Sequence, residues 1–227
     1  MPKKAEPPRE RLVNEVETKE RLRKAGVPVI ETRLARTRVE AVETAKQIGF
    51  PAAMKIVSPD AIHKTDAGGV KLDIKNAAQA GQAYSDIIAS VKQHVPKAKI
   101  EGVSVQRMAD PGVEIIIGMT IDPQFGPVIM FGLGGIFVEV LKDVSFRLVP
   151  VAPIDAREMI QEIRGKALLE GYRGQPPVNL PALEKLIVKV SGFIEKNPDV
   201  KELDLNPLIA TDKGIVAVDA RMVLAAG

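Results

Sequence analysis

The chain has 227 residues, 45% hydrophobic and 27% charged, with a formal net charge of +3 and no cysteine. That length supports one large domain or two small lobes with real cores, and no apolar run approaches the ~20 residues that span a bilayer. Disulfides, zinc–thiolate sites and cysteine nucleophiles are excluded. The start, Met1-Pro2-Lys3-Lys4, has no apolar stretch after its charges and does not read as a secretory signal, so a cytoplasmic location is expected.

Residues 1–24 hold eight Lys/Arg and five Asp/Glu, which accounts for the whole net charge. Only eight residues are aromatic. A nucleic-acid binder would more often pair a basic stripe with stacking aromatics, so no nucleic-acid partner is expected.

Residues 1–8, rich in Lys and Pro, read as a tail. Arg9–Ala25 reads as a helix with a thin apolar stripe of Leu12, Val16 and Leu22, stopped by Gly26. Val27–Ile30 follows as a short edge strand, because Pro28 cannot donate to a ladder. Val39–Ile48 is a helix. Ala52–Val57 and Val70–Ile74 are strands joined by the polar segment Ser58–Gly69. Ala77–Val95 is a long helix ended by Pro96. Strands follow at Gly102–Gln106, Val113–Thr120, Val128–Phe131, Ile136–Val140 and Phe146–Val149. Asp155–Leu169 and Leu180–Glu195 are helices. Leu203–Ile209 and Ile215–Arg221 close the chain as a hairpin around Thr211-Asp212-Lys213-Gly214. Helices and strands mix without βαβ alternation, which argues for α+β lobes. Met108–Gly112 is the expected hinge.

Single charges stand inside apolar strands: Lys55, Glu114, Glu139 and Arg147. A buried charge needs a counter-ion, a ligand or water. One such residue is accounted for by an outward-facing side chain; four together suggest a cleft built for a charged ligand. In Ser58–Gly69, Ser58-Pro59 is patterned to start a short turn. Gly68-Gly69 would let backbone amides approach an anion. His63 on this segment could accept a phosphoryl group, since imidazole is nucleophilic at neutral pH; a solvent-exposed loop histidine is the plainer reading. His94, near a helix end, reads as a C-terminal cap. The Gly132–Gly135 run fits a phosphate loop or a tight turn equally well.

In the closing hairpin, Asp204 and Asn206 share a face. A turn centred between Asp212 and Lys213 puts Asn206 opposite Asp219 and Asp204 opposite Arg221. An amide oxygen and a carboxylate across a ladder suit Mg²⁺, which also takes water and nucleotide phosphate. Pro207 implies that this strand lies at or near a sheet edge. An ordinary polar hairpin would satisfy the same pattern.

These pieces, in this order, resemble the β subunit of ADP-forming acetyl-CoA (acyl-CoA) synthetases, relatives of succinyl-CoA synthetase. The resemblance runs from about residue 15 to 223. It is strongest in Lys55–Asp66 with Gly68–Leu72, in Asp122–Val128, in Gly132–Asp143 and in Glu202–Leu208. It implies an ATP-grasp fold of two α+β lobes clamping a nucleotide, with residues 1–26 as tail and helix, 27–107 as the first lobe and 108–227 as the second. By position it implies that Lys55 contacts nucleotide phosphates. Gln106, Arg107 and Met108 would meet adenine, and Glu114 the ribose or phosphates. His63 would be a phosphohistidine supported by Asp204, and Asn206 and Asp219 the Mg²⁺ ligands. Lys71, Glu139 and Arg147 are further carry-overs.

The implied reaction is acyl-CoA + ADP + phosphate ⇌ carboxylic acid + ATP + CoA. An α subunit would bind CoA and pass the phosphoryl group from its own histidine to His63, in an α2β2 assembly. The chain has no Gly-x-Gly-x-x-Gly CoA domain, so a partner is expected. Rival readings are an ATP-grasp carboxylate ligase with no phosphohistidine, a nucleotide-sensing regulatory subunit, and a merely structural domain.

Overall fold

The structure, a computed structural model, describes residues 10–61, 64–135, 141–174 and 176–225. Their order is β1 (Glu10–Val13), α1 (Glu15–Lys24), β2 (Thr32–Ala35), α2 (Arg38–Ile48), β3 (Ala52–Val57), β4 (Val70–Ile74), α3 (Ala77–His94), β5 (Gly102–Arg107), β6 (Val113–Asp122), β7 (Gly126–Leu133), β8 (Val144–Leu148), α4 (Pro153–Glu162), α5 (Leu180–Lys196), β9 (Val200–Ala210), β10 (Ile215–Ala217) and β11 (Arg221–Ala225). They form two compact units, and the chain passes from the smaller to the larger at Asp110–Pro111.

The smaller unit comprises Asn14–Arg23 and Pro28–Asp110. Its antiparallel sheet has the order β2-β5-β3-β4. Side chains at the helix starts take up amides that have no partner within the helix. Asn14 accepts from Glu17 N, Thr37 from Glu40 N, and Asn76 from Gln79 N. Helices α2 and α3 pack on each other and on the sheet. Ala41, Ala45, Ala80, Ile87 and Val91 meet Met54, Ile56, Val103 and Val105 in one buried cluster. The small alanines let the helix backbones lie close to the strands.

The larger unit holds β1, Lys24–Val27 and the described residues from Pro111 on. Its sheet has the order β1-β11-β9-β6-β7-β8, with β10 also pairing β9. Helices α4 and α5 pack together and reach β7, β8 and β10. Ile117, Met119, Ile129 and Phe131 of the strands and Met159, Leu183, Ile187 and Val190 of the helices are buried.

Several sequence expectations change. The segment read as one helix from Arg9 begins as β1, which pairs antiparallel with β11, Leu12 opposite Val223. A distant strand overrides local propensity there, and the helix starts only after the Asn14 cap. Val29 makes an isolated bridge, while the strand proper is Thr32–Ala35. The helix expected over Asp155–Leu169 stops at Glu162. A 3₁₀ turn, Arg164–Leu168, replaces the rest, because the buried Asp143 carboxylate accepts from Arg164 N and Gly165 N at 2.7 Å each. The strand expected over Ile136–Val140 lies outside the described residues.

The Pro207 edge argument is also overturned. Strand β9 is interior, between β6 and the pair β10/β11. Leu208 faces Ile115 and Leu205 faces Ile117, so β9 carries one extra residue there. Pro207 sits in that bulge, the other place where a sheet tolerates a residue without N–H. The bulge shifts the buried phase from Leu203 and Leu205 to Leu208 and Ala210, leaving Asn206 exposed.

Candidate functional site

In the smaller unit, six polar side chains converge between α1 and the sheet. Glu15, at the start of α1, is 4% exposed. Its Oε1 accepts from Lys19 Nζ at 2.7 Å and from Lys55 Nζ at 3.2 Å, and its Oε2 accepts from Lys64 Nζ at 3.1 Å. Lys19 Nζ also donates to Thr32 Oγ1 at 3.0 Å and to Gln106 Oε1 at 2.7 Å. Lys55 is buried at the middle of β3. The charge expected inside that strand is therefore real, and its partner is a glutamate from the first helix. Burial pushes the Glu15 pKa up, but Lys19, Lys55 and Lys64 outweigh it and bring the value down to about 2.

Neither Glu15 nor Lys19 stood out in the sequence, though the signal existed. Glu15 and Lys19 are spaced i, i+4 on a helix, the spacing of a facing ion pair. It was masked by the surrounding run of charges. The side chain of Gln106, expected at the adenine hinge, is turned into this cluster. Arg107 is exposed and Met108 N donates to Pro51 O at 2.9 Å. Lys71 is exposed on β4.

The segment from Ser58 to Gly69 is tied down at both ends. Lys99 N donates to Asp60 Oδ2 at 2.6 Å, and Ser90 Oγ donates to Ala67 O at 3.0 Å. Gly68 N and Gly69 N donate to Thr65 O and Lys64 O, so these amides serve the turn itself and not an anion. The glycines answer a packing need. A Cβ at Gly68, where φ is +64°, would lie 2.2 Å from Ser90 Oγ; one at Gly69 would lie 2.6 Å from Ile56 Cγ2. His63 lies outside the described residues. His94 Nδ1 is 2.9 Å from Ser90 O at the end of α3.

In the larger unit, Asp204 of β9 stands opposite Arg221 of β11, the register the turn predicts. Leu208 stands opposite Ala217. Between those pairs the expected second strand is broken: Val218 N and Asp219 N both point to Pro207 O, at 2.9 and 3.4 Å. Asp219, opposite Asn206 by count, thus sits in a gap between β10 and β11 beside the β9 bulge. Burial, then Glu202 and Asp219, push the Asp204 carboxyl above its ordinary range, with Arg221 pulling the other way. Asn206 is exposed and Asp219 half-buried beside the bulge, and a carboxamide and a carboxylate are the oxygen chemistry that Mg²⁺ takes together with water and phosphate. Among the described residues no group of three or more His, Cys, Asp and Glu is placed to hold a metal by itself.

Glu114 is exposed on β6, and Gly134 N donates to its carbonyl at 2.8 Å. Gly132 and Leu133 end β7, and a Cβ at Gly134 would lie 3.0 Å from Glu114 Cβ, so a glycine there lets the chain pass close over this residue. Arg147 is ion-paired with Glu158 and Glu162 of α4, which accounts for its charge locally. Glu139 lies outside the described residues. A groove of about 770 Å³ along α5, with Pro153, Val188, Gly192 and Phe193 in its wall, contains none of the expected site residues. Among the described residues no helix is long and apolar enough to cross a membrane.

Two measurements check this electrostatic picture. A carboxylate whose folded pKa is depressed contributes stability that is fully present above its unfolded value of 4.5 and lost as pH falls through about 2. Glu15→Gln should therefore be less stable than wild type at neutral pH, by an amount on the order of 3 kcal/mol. In urea denaturation the gap should close between pH 4.5 and 2; a constant gap would show that the lysines do not hold the carboxylate charged. Asp204 has the opposite sign: a raised folded pKa costs stability once pH rises through it. Asp204→Asn should be more stable than wild type at pH 7, and lose that advantage in acid. Equal denaturation midpoints at pH 7 would refute this.

Comparison with known proteins bears on the same geometry. The model of the ATP-grasp domain family matches residues 4–224. The β subunit of ADP-forming acetate–CoA ligase I from Pyrococcus furiosus is 51% identical over 210 residues, which cover 92% of this chain and 90% of that protein. The ADP-forming acetate–CoA ligase I of Archaeoglobus fulgidus is 46% identical over 199 residues, 88% of this chain but only 29% of the longer relative. Among solved structures, the dinucleotide-forming acetyl-coenzyme A synthetase 1 of Candidatus Korarchaeum cryptofilum superposes with a TM-score of 0.83 at 43% identity, covering 94% of this chain and 92% of that one. It holds coenzyme A and Mg-AMPPCP, with its phosphohistidine segment pointing towards the nucleotide-binding site. With a family model spanning nearly the whole sequence and a relative of matching length at half identity, this chain belongs to the ATP-grasp family of ADP-forming acetate–CoA ligase β subunits.

Proposed function

We propose that this chain is the nucleotide-binding subunit of an ADP-forming acyl-CoA synthetase, catalysing with a partner acyl-CoA + ADP + phosphate ⇌ carboxylic acid + ATP + CoA. One observation carries the reading. The Ser58–Gly69 segment, which holds His63 in sequence, reaches by Lys64 the same buried carboxylate that holds Lys55. The segment that carries the expected phosphohistidine is thereby tied, through Lys64 and Glu15, to the lysine expected to bind phosphate.

In the forward direction the N–P bond of phosphorylated His63 breaks as a β-phosphate oxygen of ADP bonds to phosphorus, leaving ATP and a free imidazole. Such transfer depends on positioning and charge neutralisation. Lys55 supplies a fixed positive charge from a strand. Asn206 and Asp219 would hold Mg²⁺, which when bound offsets the charge of the nucleotide phosphates. By the family resemblance Asp204 would support His63; a partly desolvated carboxylate favours a protonated imidazole when the phosphoryl group leaves. Gln106–Met108 would border adenine, and Glu114 the ribose or phosphates; by the same resemblance Lys71 would be a further nucleotide contact, and Glu139 and Arg147 would serve phosphate or the relay. Of these, Arg147 is already paired with two glutamates.

The reading includes a partner. The Archaeoglobus relative is more than three times as long as the stretch that matches this chain, which supports a separate α subunit that binds CoA and holds the first phosphohistidine. The α2β2 stoichiometry rests on the family resemblance.

His63→Ala should abolish transfer of label from γ-labelled ATP to this chain and ADP phosphorylation by the reconstituted enzyme. Stability should stay within about 0.5 kcal/mol of wild type, since the polar sequence around His63 is not that of a core segment. Wild-type labelling in the variant would refute the relay and favour direct acyl-phosphate chemistry. Asp219→Asn keeps shape but removes the ligand charge. It should raise the Mg²⁺ needed for half-maximal turnover by about tenfold or more, with metal-free ADP affinity held within about twofold. An unchanged Mg²⁺ requirement would move the ion elsewhere.

A further inference from the structure

Three lysines converge on Glu15, and their surroundings differ. Lys19 is 1% exposed, and its ammonium serves Glu15, Thr32 and Gln106, all within the fold. Lys55 reaches Oε1 from β3. Lys64 comes from the segment between β3 and β4, one position after His63 in the sequence, and reaches Oε2. Its side chain is 27% exposed, against 2% for that of Glu15. One carboxylate thus joins, through opposite oxygens, a lysine of the sheet and a lysine of the histidine-bearing segment. Lys19 alone would suffice to neutralise a buried glutamate. Gathering two further ammonium groups on it keeps like charges together, an arrangement that favours the arrival of another anion. Among the described residues the segment is also held by Asp60 to Lys99, by Ala67 to Ser90 and by the turn bonds of Gly68 N to Thr65 O and Gly69 N to Lys64 O; the Lys64 ammonium is its tie to the β3 lysine.

From this geometry we infer that Glu15 is a positioning residue for phosphoryl transfer. By holding Lys64 on one oxygen and Lys55 on the other, it sets the place of the His63-bearing segment relative to the lysine that meets nucleotide phosphate. The inference rests on the reading of His63 and Lys55 proposed above. Glu15 touches no reacting atom; it acts through the two lysines. An amide in its place would lose the charge that draws both ammonium groups to one point. An arginine in place of Lys64 would keep a charge and a donor within reach of Oε2.

The test is the rate at which the full-length chain takes label at His63 from saturating γ-labelled ATP. ADP affinity and thermal midpoint are measured alongside. Lys64→Gln should slow labelling about tenfold while ADP affinity and midpoint stay close to wild type, and Lys64→Arg should recover to within about threefold. Glu15→Gln should slow labelling to a similar extent. The double variant should be no slower than the slower single variant, since Lys64→Gln removes a contact that Glu15→Gln has already broken. A merely structural Glu15 would lower the thermal midpoint but leave labelling at saturating ATP unchanged in Lys64→Gln, and that result overturns the inference. So do strictly multiplicative effects in the double variant. Should Glu15→Gln not fold, the two Lys64 variants decide alone. Absence of label on the wild-type chain would instead remove the relay itself, and this inference with it.

Discussion

A carboxylate taken out of water costs several kcal/mol unless charge and hydrogen bonds replace its hydration. Glu15 meets that condition with three lysines, drawn from its own helix, from β3 and from the segment after β3. Much of the smaller unit depends on this arrangement. It explains how Lys55 can be buried within an otherwise apolar strand. It also explains why Gln106 and Thr32 turn inward, since they share the Lys19 ammonium. In the function proposed above, Lys55 of this group is also the lysine that would meet phosphate.

The larger unit resolves its charges in another way. Asp204 stays near Glu202 and Asp219, a combination that burial and like charge make unfavourable. The fold tolerates it because the buried residues Leu203 and Leu205 hold β9 between neighbours on both sides. Local electrostatic cost on a rigid strand is a usual sign of a site whose stability is completed by a ligand or a partner charge. The bulge at Asn206-Pro207 and the break at Val218–Ala220 face each other. Together they open the ladder where a cation would need oxygen atoms that are not spent on pairing. Arg147, by contrast, finds two glutamates on the helix over its own strand and needs no ligand.

Much of this was open to reading from residues alone. The strand around Lys55, the long helix before Pro96 and the Asp204–Arg221 register follow from periodicity and turn chemistry, which are local or nearly so, and the family resemblance from the motifs and their order. The same local logic failed where a distant element decided the outcome. Glu10–Val13 reads as helix but is drawn into a ladder with β11 from the other end of the chain. Residues 164–168 leave the helix because Asp143 captures two of their amides. Gly68 and Gly69 resemble an anion cradle but serve to pack a turn against Ser90 and Ile56.

The sequence by itself therefore determined the class of fold and the family, because those depend on side-chain type, spacing and order. Only the tertiary structure decided which charges are buried and what pairs with them. Glu15 lies 40 residues from Lys55 and 49 from Lys64, and no periodicity links them. Their meeting is set by how α1 packs against the sheet, where the free energy of burying a charge depends on every neighbour that the fold brings within a few ångströms.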